Sequence, residues 1–171
     1  MTIAGEGRGE GVGIDSEAAT QTSGPARDID YDELPTYFGY LLRRAQATIF
    51  RDFERSLGDL GLTPGAFGLL MLIRANPGIT QMDLANAFGI DKSTLTPVLN
   101  RLEGSGLVRR EQLAHDRRYN ALFFEEAREE DFARARVRVR DFEQSVADRL
   151  TPDEQRELVR LINKLHGDSS P

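Results

Sequence analysis

The sequence predicts a mainly α-helical chain with one small β-hairpin, an α+β arrangement with little β. Three observations predict it. Two short amphipathic helices stand back to back between Thr80 and Glu103, joined by a tight turn at Gly89-Ile90. Two strand-like runs, Leu107–Leu113 and Tyr119–Phe124, follow at once and share a basic link. Long stretches with a helical period lie on both sides of this middle part. Two helices across a short turn make a helix-turn-helix, and the hairpin behind it makes a wing.

The chain has 171 residues, 39% hydrophobic and 29% charged, as in a globular protein of one domain. Its longest apolar run, Ala66 to Ile73, is too short to span a bilayer. The N-terminus has no basic segment followed by an apolar one, so no secretion signal and no membrane partner are expected. Cysteine is absent, which excludes disulfides and thiolate metal sites and fits a cytoplasmic protein. The net charge of −6 looks wrong for a nucleic-acid binder, but its distribution changes that reading. Residues 1–36 hold eight acids and two bases, so they carry the whole −6; residues 37–171 hold 20 of each sign. The rest of the chain is therefore free to present a basic patch.

Residues 1–30 are rich in Gly, Ala, Ser, Thr and acid. They bury too little to offset ordering entropy and read as a disordered acidic tail. A solvated extension and a regulatory tail are both open readings. From about Leu34 to Leu60 the pattern is one long helix, with Leu41, Ala45, Ile49, Phe53 and Leu57 at three- and four-residue steps. Gly58 and Gly61 break it. A second helix starts at Thr63-Pro64, a cap and a first-turn proline. Phe67, Leu69, Leu70, Leu72 and Ile73 supply its core face, and Asn76-Pro77-Gly78 stops it.

Thr80 caps the third helix, with Asp83 in capping-box position. Leu84, Ala87 and Phe88 are expected inward, and Gly89 ends it. In the fourth helix, Asp91–Glu103, Leu95, Val98, Leu99 and Leu102 fall on one face. The other face carries Lys92, Ser93, Thr94, Thr96, Pro97, Asn100 and Arg101. Small side chains let a helix lie deep in a major groove, and hydroxyls, Asn and Arg bond base edges or phosphates. Pro97 removes one helical hydrogen bond. That cost shrinks if the helix effectively starts near Ser93, and Pro97 reads equally as a thymine-methyl contact or as a shape element.

The hairpin gathers Arg109, Arg110, His115, Arg117 and Arg118, with Asp116 beside them. An arginine can enter the narrow minor groove, where the potential is most negative. A solvated charged hairpin is the alternative. Helices then run from about Glu126 to Leu150 and from Thr151 to His166, where Leu158, Leu161, Ile162 and Leu165 form one stripe.

"LTPGAFGLLMLI", "ITQMDLANAFGIDKSTLTPVLNRLEGSGLVRR" and the wing's "DRR" resemble the MarR family of winged-helix transcriptional regulators. The resemblance spans roughly residues 36–166 and is most specific over 62–120. It implies a homodimer whose first and last helices interlock, double-stranded DNA with a palindromic operator as partner, and repression as the commoner outcome. It implies that Asp91–Glu103 enters the major groove and the wing the minor groove, with Arg118 as the minor-groove residue and Asp116 as its positioner. The domains are then a tail over 1–30, a dimerisation helix over 31–60, a winged helix-turn-helix over 61–124 and C-terminal dimerisation helices over 125–171. "STLTP" is similar to the peroxide-sensing branch, but that branch needs a cysteine and this chain has none. "FFEEAREE" departs from the family's usual threonine cap, which leaves the start of the long C-terminal helix open.

The resemblance further implies an effector, a small aromatic or phenolic carboxylate or its coenzyme A thioester. Tyr37, Phe38 and Tyr40 offer rings to stack on it, and Arg43 or Arg44 a charge for a carboxylate. Core or dimer packing is the competing reading of those aromatics. No enzyme, metal or cofactor is expected: two histidines, no phosphate loop and no ligand cluster are present. The serious rival is a winged-helix dimer that serves as a protein-interaction scaffold without ligand control.

Overall fold

A computed structural model describes residues 27–112 and 120–167 of the chain, with His166 described in its backbone only. The elements run α1 (Phe38–Leu57), α2 (Pro64–Ala75), β1 (Ile79–Thr80), α3 (Gln81–Phe88), α4 (Lys92–Gly104), β2 (Val108–Gln112), β3 (Asn120–Phe124), α5 (Glu129–Ala147) and α6 (Pro152–His166). The fold is mainly helical, and its strands form one antiparallel sheet in the order β1-β3-β2.

The expected helix over Leu34–Leu60 is three pieces. Leu34–Thr36 and Gly58–Leu60 are 3-10 turns, and only the 20 residues between Tyr37 and Gly58 are α-helical. Pro35 sets off the first turn, and Gly61, left-handed at φ 65°, closes the last. Thr63 caps α2 as expected, its hydroxyl accepting from the Ala66 N–H. Thr80 likewise accepts from the Asp83 N–H, while the Asp83 carboxylate takes the Thr80 hydroxyl at 2.7 Å.

Three details correct the sequence reading of the middle part. Ile79 and Thr80 also form a short strand on β3, pairing with Leu122 and Ala121, which a two-residue segment could not announce. On α3 the inward pair is Leu84 and Ala85, while Ala87 is exposed and Phe88 half-buried. An eight-residue helix turns too few times for spacing alone to fix its buried face. And α4 starts at Lys92, with no side-chain cap from Asp91. Pro97 is thus well inside the helix and leaves the Ser93 carbonyl without its helical donor.

The core of the middle part joins α2, α3, α4, the sheet and the start of α5. Leu70, Ile73, Leu84, Leu95, Leu99 and Leu122 are fully buried there, with Phe132 reaching in from α5. Gly68 permits the close contact of α2 and α3: a Cβ there would meet the Phe88 ring at 2.8 Å. A second cluster ties α1 to α5 through Phe53, Leu57, Val139 and Phe142. Phe53 and Phe142 meet edge to face, 5.4 Å between centroids.

The long C-terminal helix begins with a 3-10 turn, Glu126–Arg128, and α5 proper starts at Glu129 without a side-chain cap. Where threonine would cap, Glu129, Glu130 and Asp131 place negative charge in the first turn and favour the helix dipole instead. α6 opens on a full capping box between Thr151 and Glu154. Among the described residues no single helix is long and apolar enough to cross a membrane.

Candidate nucleic-acid interface

α4 keeps its two faces apart. Leu95, Leu99 and Leu102 are buried and Val98 is half-buried, against α3 and the sheet. Lys92, Ser93, Thr94, Pro97, Asn100 and Arg101 are all exposed. Thr96 departs from that face. It is half-buried, and its hydroxyl donates to the Lys92 carbonyl at 2.8 Å. The turn that presents α4 depends on Gly89 at φ 70°, whose N–H closes α3 on the Ala85 and Asn86 carbonyls.

The two described hairpin arginines, Arg109 and Arg110, are anchored rather than free. Arg109 stacks over the Phe123 ring at 4.4 Å and pairs with Glu111 and, at 3.6 Å, with Glu125. Arg110 lies against α4 with a side chain only 20% exposed. It reaches Glu103 at 2.8 Å and donates to the Asn100 side-chain oxygen, also at 2.8 Å. Sequence reasoning named Arg110 and Asn100 separately and missed both their bond and Glu103. No spacing signals a contact between a helix and the next strand. Asp116, Arg117 and Arg118, with His115, lie outside the described residues.

The expected effector residues sit together at the N-terminal end of α1, but on its surface. Phe38 is 81% exposed and Tyr37 55%. Tyr40 is half-buried, with Arg44 over its ring at 5.8 Å and Tyr31 at 6.4 Å. Arg43 is exposed.

A cavity opens elsewhere, between α5, the Gly58–Leu60 turn and the start of β2. It measures about 340 Å³ and is lined by Leu60, Leu62, Leu107 and Phe132, with Asp59, Asp131, Arg128, Arg134 and Arg138. Arg138 holds Asp59 with two bonds, 2.6 and 2.8 Å, and donates to the Ser56 carbonyl at 3.0 Å. That hydrogen bonding holds the Asp59 carboxyl below its ordinary range and pushes the Arg138 guanidinium up. Arg128 and Arg134 both face Asp131. Three guanidiniums thus meet two carboxylates, one positive charge in excess. Nothing local in the chain signals it: Asp59 and Arg138 are 79 residues apart.

A sheet-backed helix-turn-helix between long flanking helices defines a winged-helix DNA-binding protein. The sequence model of the MarR family matches residues 60–118. A protein named for transcriptional regulation of the hcr operon in Thauera aromatica is 35% identical over 133 residues, 77% of this chain and 80% of that one. The repressor CouR, bound to a 23-mer DNA duplex, superposes with TM-score 0.73 at 31% identity, over 82% of this chain and 100% of that one. PcaV of Streptomyces coelicolor, with its natural ligand, superposes with TM-score 0.71 at 25% identity, over 85% and 100%. This chain belongs to the MarR family. It is a transcriptional regulator and not an enzyme.

Proposed function

We propose that this chain is a homodimeric repressor that leaves an inverted-repeat operator when it binds a small aromatic carboxylate or the coenzyme A thioester of one. The observation that carries the DNA half is the division of α4. Its apolar side is wholly used by the core, and its small, hydroxylated side is left outward. Ser93, Thr94, Pro97 and Asn100 then approach bases, and Lys92 and Arg101 approach phosphates. Arg109, from its anchored position, and the wing residues Asp116, Arg117 and Arg118 complete the contact set, while Arg110 braces the Asn100 side chain behind it. In a dimer the two α4 helices address half-sites about one helical turn, ~34 Å, apart.

The effector half rests on the 340 Å³ cavity, whose excess positive charge and Phe132 suit an aromatic acid. A structure of CouR holds p-coumaroyl-CoA, which lends the thioester class support. The α1 set of Tyr37, Phe38, Tyr40, Arg43 and Arg44 is the second placement, which requires a partner chain to enclose it. Release needs no unfolding: the effector need only bind better to a dimer whose two α4 helices are wrongly spaced.

The scaffold reading draws on one observation, that Arg109 and Arg110 already have carboxylate partners. One titration separates the two: the dimer against its own promoter fragment, at two salt concentrations, with and without a panel of aromatic acids and their thioesters. Specific, salt-sensitive binding abolished by one compound is the expected result. An intact dimer with no specific binding at low salt would establish the scaffold. Arg134→Ala and Arg44→Ala then tell the two effector placements apart. The one that raises the effector concentration needed for release marks the site.

A further inference from the structure

The Arg110–Asn100 bond determines how α4 reads DNA. We propose that Arg110 makes Asn100 a hydrogen-bond donor toward the bases, so that it recognises an acceptor edge, such as guanine N7 and O6 or thymine O4, and not the amino group of adenine. This inference rests on α4 being the reading helix.

A guanidinium only donates, so the Asn100 atom facing it at 2.8 Å must be the carbonyl oxygen. The amide cannot flip without setting N–H against N–H. Its Nδ2 group is therefore turned away from Arg110, on a residue that is exposed. An asparagine that reads adenine uses both ends, accepting from N6 and donating to N7. Here one lone pair of the oxygen is taken, and a positive charge sits beside it. That charge repels a base amino group and, by polarising the amide, strengthens its N–H groups as donors.

Arg110 is itself held in place. Glu103, one turn along α4, takes its other terminal nitrogen at 2.8 Å, and the side chain is only 20% exposed. Its Nε is buried without a partner. The guanidinium is thus fixed between two α4 side chains and is not free to swing onto a phosphate. Arg110 acts as a positioning residue, and Asn100 touches the base.

The test begins by selecting a high-affinity site from a random duplex pool with the full-length dimer. Asn100→Ala is titrated beside the unaltered protein on that site and on versions with single base analogues. The analogues either delete or weaken an acceptor (7-deazapurines and 4-thiothymine, respectively) or delete the adenine amino group (purine for adenine). At one position, deleting an acceptor is expected to weaken the unaltered protein about tenfold and to leave Asn100→Ala unaffected. Arg110→Met keeps a long side chain but frees the amide, and it is expected to gain tolerance for adenine at that position. A merely structural arginine would instead lower affinity equally on every sequence. Asn100→Asp, which keeps the Arg110 contact, should fold and lose the base contact.

Three results overturn the inference. One is sensitivity of the unaltered protein, but not of Asn100→Ala, to loss of the adenine amino group. Another is a loss in Asn100→Ala that is uniform across all analogues, which places the amide on a phosphate. The third is an unchanged base preference in Arg110→Met. Failure to select any site would instead remove the DNA-reading assignment on which the inference stands.

Discussion

The winged part of the chain and its long-helix part are finished to different degrees. Between α2 and β3 most apolar side chains turn inward: Leu69, Leu70, Ile73, Leu84, Leu95, Leu99 and Leu122 are all but fully buried, and Met71 and Met82 are the large exceptions left exposed. In α1 and α6 they are not. Phe38, Leu41, Leu42 and Phe50 on α1 are exposed, and so are Leu158, Val159, Leu161, Ile162 and Leu165 on α6, the last at 69%. No described side chain of α6 is fully buried, although its capping box and its charged pairs Arg156–Asp153 and Arg160–Glu157 make it a well-started helix. A helix with good local signals and an uncovered apolar stripe is built for a partner surface. The difference teaches where the second copy of the proposed dimer is expected: on α1 and α6, leaving α4 outward.

The largest expected effect breaks the unfinished half. Leu161→Glu with Leu165→Glu should yield a monomer by analytical ultracentrifugation. Operator affinity should fall about 10²- to 10⁴-fold, because two half-sites are no longer held together. The winged part should keep its helical circular dichroism. A dimer that survives the double substitution would move the contact to another face.

Leu99→Ala tests the finished half. Leu99 is fully buried among α2, α3 and the sheet, so its truncation should cost about 2–5 kcal/mol by urea unfolding. The contrast with the glutamates is in concentration dependence. The effect of Leu99→Ala on the wing core should not vary with protomer concentration, whereas dimer-linked stability must. A smaller effect belongs to the seam: Phe142→Leu removes the edge-to-face pair with Phe53 and should cost about 0.5–1.5 kcal/mol beyond the change in buried area.

The finished half was also the legible one. Its helices carry both their start signals and their apolar face in local sequence: Thr63 with Pro64, Thr80 with Asp83, and Leu95, Leu99 and Leu102 on one side. What escaped was whatever only the third dimension decides. Ala85 rather than Ala87 is buried because the sheet and α4 close over that side of a two-turn helix. The β1 pairing needs β3, some forty residues away. At the candidate site, composition picked out α4 and the arginines but not their roles. Arg110 reads as a free cation in sequence and is a tether in the fold, because Glu103 and Asn100 come round on the neighbouring helix. The cavity was invisible because, although Arg128 and Arg134 meet Asp131 within one stretch, Asp59 and the apolar lining of Leu60, Leu62 and Leu107 arrive from other elements.

The two halves are joined along α5 by surface ion pairs, and these should show the smallest effect. Arg138 holds Asp59 beyond α1, Arg149 holds Asp52 on α1 at 2.7 Å, and Arg74 on α2 holds Glu129 with two bonds of 2.6 and 2.8 Å. Arg74, Arg149 and Asp59 are exposed and Arg138, Asp52 and Glu129 half-buried, so water and salt reach and screen all three pairs. Hydrogen bonding from its arginine lowers each carboxyl from its ordinary value, 3.8 for the two aspartates and 4.5 for Glu129, with the arginine's charge adding to it and partial desolvation opposing. The sign follows from linkage. A carboxyl with a depressed folded-state value stabilises the fold above its unfolded value and ceases to do so as pH falls through the folded one. Asp59→Asn should therefore lower the urea midpoint slightly at pH 7. The gap to the unaltered protein should narrow as the pH drops below 3.8 and close once it passes the depressed folded value, where both carry a neutral side chain. It should also narrow in high salt at pH 7. A gap that stayed constant across both conditions would mean that Asp59 contributes shape and no charge to the seam.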